Sequence, residues 1–349
     1  MRFIGNKENV LGTIYRVMTE KGIKGQSFFD FFAGTTNVGR FFKKMNYQVF
    51  SSDLLYFSFV LQKAYISNNQ EFTFDKLLKN INFQSKQLFA VPLQIIVEYL
   101  NQIPDKQGFI WENYTPAGNR MYFSEENGLR IDAIRQQIEK WKNENLISEN
   151  EYFILLACLI ETVPFYANVA GVYAAFQKKW DPRAIKKLEL RPVEFIQNNF
   201  KNQCFNEDSV TLLKKIEADI FYLDPPYNQR QYAPNYHLLE TIAKYDNPEI
   251  KGVTGLRANY ENQKSKFCNA TTALQELEKI AKYGKYKTLI LSYNNEGIMP
   301  QNDIISILQK FGKIELEVFD NLRFKSNNNG ESKHKKYIKE QLYILQKNG

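Results

Sequence analysis

The tetrad Asp224-Pro225-Pro226-Tyr227, directly behind the apolar run Ile220-Phe221-Tyr222-Leu223, sets the tightest limit on what this chain can fold into. The run next to Asp219 reads as a short buried strand. Proline fixes φ and has no N–H for a ladder, so the strand must stop at the two prolines, and it ends on a carboxylate. In an open α/β sheet that position faces the crevice beyond the carboxyl ends of the strands, where ligands bind. An ionised Asp only accepts hydrogen bonds, and the proline carbonyls at a stiff corner point away from helix or ladder. Such a set suits a planar base bearing an exocyclic amine: Asp224 and the Pro225 carbonyl would take its two protons, and Tyr227 would stack on its face. An ordinary strand-ending turn is the competing reading of the same residues.

The segments before this corner carry the order that a nucleoside-bearing ligand requires. Val10, Leu11, Ile14, Val17 and Met18 fall at helical spacing, with Lys7 just ahead of them. Ser27 to Phe32 predicts a strand, followed by the loop Ala33-Gly34-Thr35-Thr36-Asn37-Val38-Gly39 and a helix carrying Phe41, Phe42 and Met45. Glycine lets backbone N–H groups approach a ligand at such a turn. Thr36, however, stands where a second glycine is usual, and a β-branched residue resists positive φ, which argues for a cofactor held without a pyrophosphate cradle. A second strand, Tyr47 to Phe50, runs into Asp53, about twenty residues past Gly34, where an acidic side chain grips ribose hydroxyls.

From 68 to 195 the sequence turns polar and aromatic, without strand–loop–helix alternation, and reads as a mainly helical insertion. One helix is expected from Leu129 to Asn145, with Ile131, Ile134, Ile138 and Trp141 on one stripe and Arg130 and Arg135 mostly off it. Ser148-Glu149-Asn150-Glu151 is a capping box opening a second, more apolar helix. Asn168, Lys178 and Lys179 belong to a stretch where basic and aromatic residues interleave, as a nucleic-acid surface needs, though a solvated face beside core aromatics accounts for them equally.

Regular α/β sequence resumes near Gln203, and Asp208 closes another strand. If the sheet is parallel, Asp30, Asp53, Asp208 and Asp224 converge on one rim, a placement that suits a cationic, amine-rich cofactor. Beyond the corner, Arg230 and Tyr232 are placed to touch a backbone or a neighbouring base. Residues 246 to 270 read as a mobile surface loop. Thr288 to Tyr293 predicts a buried strand, and Ile314 to Phe319 with Gln341 to Leu345 a closing antiparallel pair, joined through a basic loop that contains Lys335 and Lys336.

The 349 residues suffice for one large or two modest domains, and 46 Lys+Arg against 38 Asp+Glu gives a net charge of +8, as suited to a polyanionic partner as to solubility. Cys158, Cys204 and Cys268 lie far apart and share no ligand spacing with His237 and His334, so neither a zinc site nor a disulfide framework is expected, and a reducing cytoplasm is the natural home. No long apolar stretch follows Met1, so no signal peptide or membrane span is expected.

Taken together, these residues resemble the Dam-like, alpha-group N6-adenine DNA methyltransferases, including the methylating partners of type II restriction enzymes. The resemblance covers nearly the whole chain and rests on Phe3-Ile4-Gly5-Asn6-Lys7, Asp30-Phe31-Phe32-Ala33-Gly34, Asp53, Asp208, Asp224-Pro225-Pro226-Tyr227, Ser292-Tyr293-Asn294 and the segment from Lys335-Lys336 to Glu340-Gln341-Leu342, in family order. It implies a Rossmann-like S-adenosylmethionine-dependent fold, with residues 1–67 and 196–349 as the catalytic domain and 68–195 as an inserted, mainly helical target-recognition region. It further implies that Phe3, Lys7, Asp30, Phe32, Gly34, Asp53 and Asp208 bind S-adenosylmethionine, that Asp224, Pro225, Pro226 and Tyr227 hold a flipped adenine, and that S-adenosylhomocysteine is the product without need of a metal. Arg230, Tyr232, Asn168, Lys178, Lys179, Lys335 and Lys336 are then expected at double-stranded DNA. The resemblance also implies a monomer acting on DNA at the bacterial nucleoid, with a cognate restriction endonuclease encoded nearby. The alternatives are an RNA or cytosine-amine methyltransferase of the same fold, a protein-glutamine methyltransferase, and a DNA-binding subunit without turnover.

Overall fold

The strand that leads into Asp224 lies in the middle of a seven-stranded sheet in the computed structural model, which describes residues 7–81, 83, 89–322 and 337–347. In chain order the strands are β1 (Ser27–Asp30), β2 (Gln48–Ser52), β3 (Gln203–Phe205), β4 (Ile220–Leu223), the short hairpin β5 (Ile250–Lys251) and β6 (Leu256–Arg257), β7 (Thr288–Asn294), β8 (Gly312–Leu322) and β9 (Tyr337–Lys347). The sheet runs β3-β2-β1-β4-β7-β9-β8, with the hairpin apart. The first five of these strands are parallel, and β9 is antiparallel to both β7 and β8.

From β1 the chain steps outward to β2 and β3 and then returns to β4 on the other side of β1. This reversal makes the β1/β4 boundary a topological switch point, the place where open α/β sheets bind ligands. Asp30 pairs with Tyr222 across that boundary, two residues before Asp224, so both carboxylates arrive at the same edge. β1 is shorter than the sequence predicts: the Phe31 N–H still donates to the Tyr222 carbonyl at 3.0 Å, and Phe32 has left the ladder for the glycine loop.

Side chains alternate between the two faces, as the two-residue period of a strand requires. Phe28, Ile220, Tyr222 and Ile290 face one core with α1 (Leu11–Glu20), α2 (Asn37–Lys44) and α3 (Tyr56–Gln62). Phe29, Phe31, Phe221 and Leu289 face the other, whose helices, named below in chain order, come from the C-terminal part. The expected α2 apolar stripe is correct for Phe42, but Met45, at its C-cap, is exposed.

The 68–195 segment supplies α4 (Asp75–Asn80), α5 (Pro92–Leu100), α6 (Phe109–Tyr114), α7 (Glu125–Asn143) and α8 (Glu149–Thr162). After it come α9 (Tyr232–Asn235), α10 (His237–Lys244), α11 (Ala270–Tyr283) and α12 (Gln301–Leu308), the last two covering the second face of the sheet. Helix α8 is buried and apolar from Tyr152 to Ile160 and packs on α3, α7 and α10, so the segment is built onto the same core as the first face of the sheet. Its predicted capping box is present: the Ser148 hydroxyl accepts from the Glu151 N–H at 3.3 Å while the Glu151 carboxylate accepts from the Ser148 N–H at 2.8 Å. Ser148→Ala should therefore lower unfolding free energy by about 1 kcal/mol, readable as a shifted urea midpoint at constant slope.

Two features of the sequence reading need correction. Arg130 and Arg135, placed off the apolar stripe, are nonetheless buried, and each caps the C-terminal end of another helix, where carbonyls lack partners and the helix dipole favours a cation. Arg135 donates to the Ile242 and Ala243 carbonyls at 3.0 and 3.3 Å, and Arg130 to the carbonyl of Leu100 and, at 2.5 Å, that of Ile103. Residues 246 to 270, expected as a loose surface loop, are pinned: Arg257 is buried and makes a bidentate pair with Asp246 at 2.7 and 2.8 Å, and Phe267 and Cys268 are core residues. The closing antiparallel pair is present and is longer than predicted at both ends.

Candidate active site

The carboxyl ends of β1, β2, β3 and β4 open into one cleft of about 1050 Å³, its mouth included. The floor is the loop after β1. Gly34 has φ +48° and, against expectation, Thr36 adopts φ +65° with its side chain fully buried. A β-branched residue in the left-handed region costs on the order of 1–3 kcal/mol, a strain that the surrounding packing must hold. The Thr36 hydroxyl donates to the Thr35 carbonyl at 2.6 Å, and the turn delivers the chain into α2.

Asp53 organises the second wall. One carboxylate oxygen accepts from the Gly34 N–H at 2.8 Å and the other from the Leu55 N–H at 2.9 Å, locking the first loop to the second. Burial pushes the Asp53 carboxyl up to about 6, against the pull of those two amides. Behind it, the buried Glu240 of α10 caps α3 by accepting from the Tyr56 and Phe57 N–H groups at 3.1 and 3.0 Å, which fixes where the wall turns away.

Asp208 stands three residues beyond β3 rather than at its end, capping a 3₁₀ turn (Ser209–Lys214) through the Val210 N–H at 3.0 Å, and it faces the cleft. The Ser209 hydroxyl ties this loop to the Phe31 carbonyl. Phe32 meets Phe267 edge to face at 5.1 Å and closes an apolar side of the cleft. The cleft thus combines carboxylates, backbone and aromatic walls, a chemistry that fits a cationic ligand with a flat ring.

Asp224, Pro225, Pro226 and Tyr227 form the far wall. The Tyr227 hydroxyl donates to Asp224 Oδ1 and accepts from Lys7 Nζ, which also donates to Glu340 Oε1 and lies 3.4 Å from Asp224 Oδ1. Tyr293 meets the Tyr227 ring edge to face at 5.1 Å, and the Tyr227 carbonyl accepts from the Ile298 N–H at 3.0 Å, so the corner is braced from β7. Burial raises the Asp224 carboxyl to about 6; Lys7 opposes this and Glu340 adds to it. Tyr232 also lines the cleft and stacks on Tyr236, ring centroids 5.9 Å apart.

The remaining sequence-predicted residues fall in different places. Asp30 is buried below the loop and does not form part of the cleft surface; neither carboxylate oxygen makes a well-formed hydrogen bond among the described residues, and the Phe32 and Gly39 amides only partly offset its burial. Arg230, Lys178 and Lys179 are exposed. Asn168 is instead an internal staple, fully buried, donating to the Met121 and Gln177 carbonyls at 3.0 Å each and accepting from the Asp181 N–H at 2.9 Å, so no base or phosphate reaches it. Phe3, Lys335 and Lys336 lie outside the described residues. The sequence reading assigned no role to Glu240, Phe267 or Glu340. For Glu340 a signal existed, since it holds an apolar position in the alternation Glu340, Leu342, Ile344 along β9.

Residues 3–307 match the sequence profile of the D12 class N6 adenine-specific DNA methyltransferases. The chain is 41% identical, over 99% of its length, to type II methyltransferase M.FokI of Planomicrobium okeanokoites, of which it covers 53%. It is 39% identical to modification methylase StsI of Streptococcus sanguinis, covering 52% of that protein. With type II methyltransferase M.NlaIII of Neisseria lactamica the identity is 38% over 99% of both chains. The chain therefore spans about half the length of M.FokI and StsI and nearly all of M.NlaIII.

Proposed function

From membership of the D12 class of N6 adenine-specific DNA methyltransferases, to which this chain belongs, we propose that it methylates the exocyclic N6 amine of an adenine extruded from double-stranded DNA, using S-adenosylmethionine. One observation carries the reading: the acceptor corner Asp224–Tyr227 and the carboxylate-rimmed loop of Gly34 open into the same cleft at the sheet's switch point. S-adenosylmethionine, when bound, supplies a methyl group on a sulfonium centre and leaves as neutral S-adenosylhomocysteine. Phe32, Gly34, Asp53, Asp208 and Lys7 would hold it, with Asp30 adding negative charge from below.

An adenine amine is a poor nucleophile because its lone pair is delocalised into the ring. Hydrogen bonds from its two protons to Asp224 and the Pro225 carbonyl localise that pair toward the incoming carbon, and holding amine and methyl in line supplies the remaining advantage. As the N6–methyl bond would form and the sulfonium S–methyl bond break, the amine would gain positive charge, which the Asp224 carboxylate would stabilise until one amine proton is lost to water. Extrusion of the base costs a few kcal/mol, partly offset by stacking on Tyr227.

The 68–195 segment is proposed as the target-recognition region, and Arg230, Lys178 and Lys179 as phosphate contacts, with Tyr232 beside the base. A cognate restriction endonuclease and action as a monomer at the nucleoid belong to the same proposal. Among the described residues no helix is long and apolar enough to cross a membrane.

The test is transfer of label from S-adenosylmethionine to unmethylated genomic DNA, followed by sequencing for modified bases. N6-methyladenine confined to one short motif is the expected product. Cofactor binding without label in DNA would overturn the proposal and turn attention to RNA or protein.

A further inference from the structure

Resting on the methyl-transfer reading above, we infer that Glu340 is a positioning residue, holding the Lys7 ammonium off the Asp224 carboxylate so that the carboxylate stays available to the target amine. Glu340 sits on β9 opposite Asn294, is 1% exposed, and lies beyond the 3–307 span of the family match. Its Oε1 accepts from Lys7 Nζ and, at 2.8 Å, from the Ser292 hydroxyl. Lys7, itself 3% exposed, is thus hydrogen-bonded to Glu340, while its 3.4 Å separation from Asp224 exceeds the roughly 2.7–2.9 Å of a charge-assisted hydrogen bond. A buried ammonium between two carboxylates is held by the one that engages it more closely.

Withdrawing the Glu340 charge leaves Asp224 as the carboxylate nearest to Lys7. The ammonium would then engage the carboxylate at Oδ1, beside the Tyr227 hydroxyl, and draw charge away from the second oxygen that the amine proton needs; a buried cation about 3 Å from a carboxylate competes strongly with a neutral N–H donor. Retaining an ionised Glu in a strand's interior costs desolvation, which this contact network offsets. The groups facing Asp224 are Lys7, Glu340, Tyr222 and Tyr227, with Asp30 from β1 and Tyr232 from α9 further off. Beyond burial, Glu340 raises the Asp224 carboxyl while Lys7 and Tyr227 lower it, so loss of the Glu340 charge moves Asp224 to a lower titration point.

The experiment is single-turnover methylation of DNA carrying the mapped site from about pH 5 to about pH 9, with wild type, Glu340→Gln, Glu340→Asp, Lys7→Met and the Lys7→Met/Glu340→Gln double variant. Glu340→Gln is expected to lower the plateau rate about tenfold or more and to move the acid limb down by about one pH unit, with cofactor affinity and melting temperature near wild type. Glu340→Asp keeps the charge and should keep the limb in place. In the Lys7→Met background Glu340→Gln should cost nothing further; this double variant removes both members of the Lys7–Glu340 pair together and strands neither, so it reports even if the single one folds poorly. A plateau loss with an unmoved limb, or an equal loss in the Lys7→Met background, overturns the inference while leaving methylation by the wild type intact. Absence of methylation by the wild type overturns the reading beneath it instead.

Discussion

Asp224→Asn is expected to lower the single-turnover rate of methyl transfer about a thousandfold while leaving fold and cofactor binding in place. The substitution keeps size and shape, so its effect isolates the acceptor. In the wild type the Tyr227 hydroxyl donates to Asp224 Oδ1. An asparagine must keep its carbonyl oxygen there to satisfy that hydroxyl, which turns its NH₂ toward the position of the amine. Donor would then face donor at the point where the lone pair has to be localised, and the charge that stabilises the developing ammonium is gone. Lys7 retains Glu340, so no buried cation is stranded. Label incorporation into DNA under single-turnover conditions, beside a thermal melt and a cofactor titration, measures all three quantities. A rate within about tenfold of wild type would mean that the amine finds its acceptor elsewhere.

How much of this was legible in the sequence follows from which physical signals are local. The strands β1, β4 and β7 were readable because parallel strands buried on both faces are short apolar runs ended by turn residues, and Pro225 cannot be passed by a ladder. Asp53 and Asp224 were placed by strand ends alone. Asp208 was placed at a strand end and instead caps the turn beyond it, a difference of three residues that propensity does not resolve. Thr36 shows the opposite failure: the intrinsic preference against positive φ was correct physics, overruled by the loop's packing at the candidate site.

The buried charges were the least legible. Arg130, Arg135 and Arg257 look like ordinary surface arginines because their partners are carbonyls and an aspartate contributed by other elements, and a helical stripe cannot report a helix end packed beside it. Asn168 read as a nucleic-acid contact for the same reason, since its chemistry suits a base edge as well as three backbone groups. Lys7, Asp224 and Glu340 are far apart in sequence; the β4-β7-β9 order brings Asp224 and Glu340 together, and the segment before α1 adds Lys7. The site is therefore a property of sheet order, with the tetrad as its one local mark.

The sheet also places a carboxylate where it harms stability, which yields the second large effect. Asp30 is 1% exposed, and its oxygens make no well-formed hydrogen bond among the described residues, the Phe32 and Gly39 amides opposing its burial only in part. Burial, reinforced by the Asp224 charge, raises its carboxyl to about 7 against an ordinary 3.8. The folded state thus holds a proton that the unfolded chain has released between about pH 4 and about pH 7, so wild-type stability falls as pH rises through that window and levels off above it. Asp30→Asn removes the loss. It should stabilise the free protein at pH 8 by about 2–4 kcal/mol, the upper end being a carboxyl raised by about three pH units at about 1.4 kcal/mol per unit, and the gain should vanish toward pH 4. The same substitution removes negative charge beneath the cleft proposed to receive a sulfonium, so cofactor affinity should drop about tenfold or more at pH 8. Urea unfolding at pH 5 and pH 8, paired with calorimetric titration of S-adenosylmethionine, reads both halves. An asparagine variant less stable than wild type at pH 8 would show that Asp30 is paired and charged in the free protein, and the cost assigned to it would be wrong.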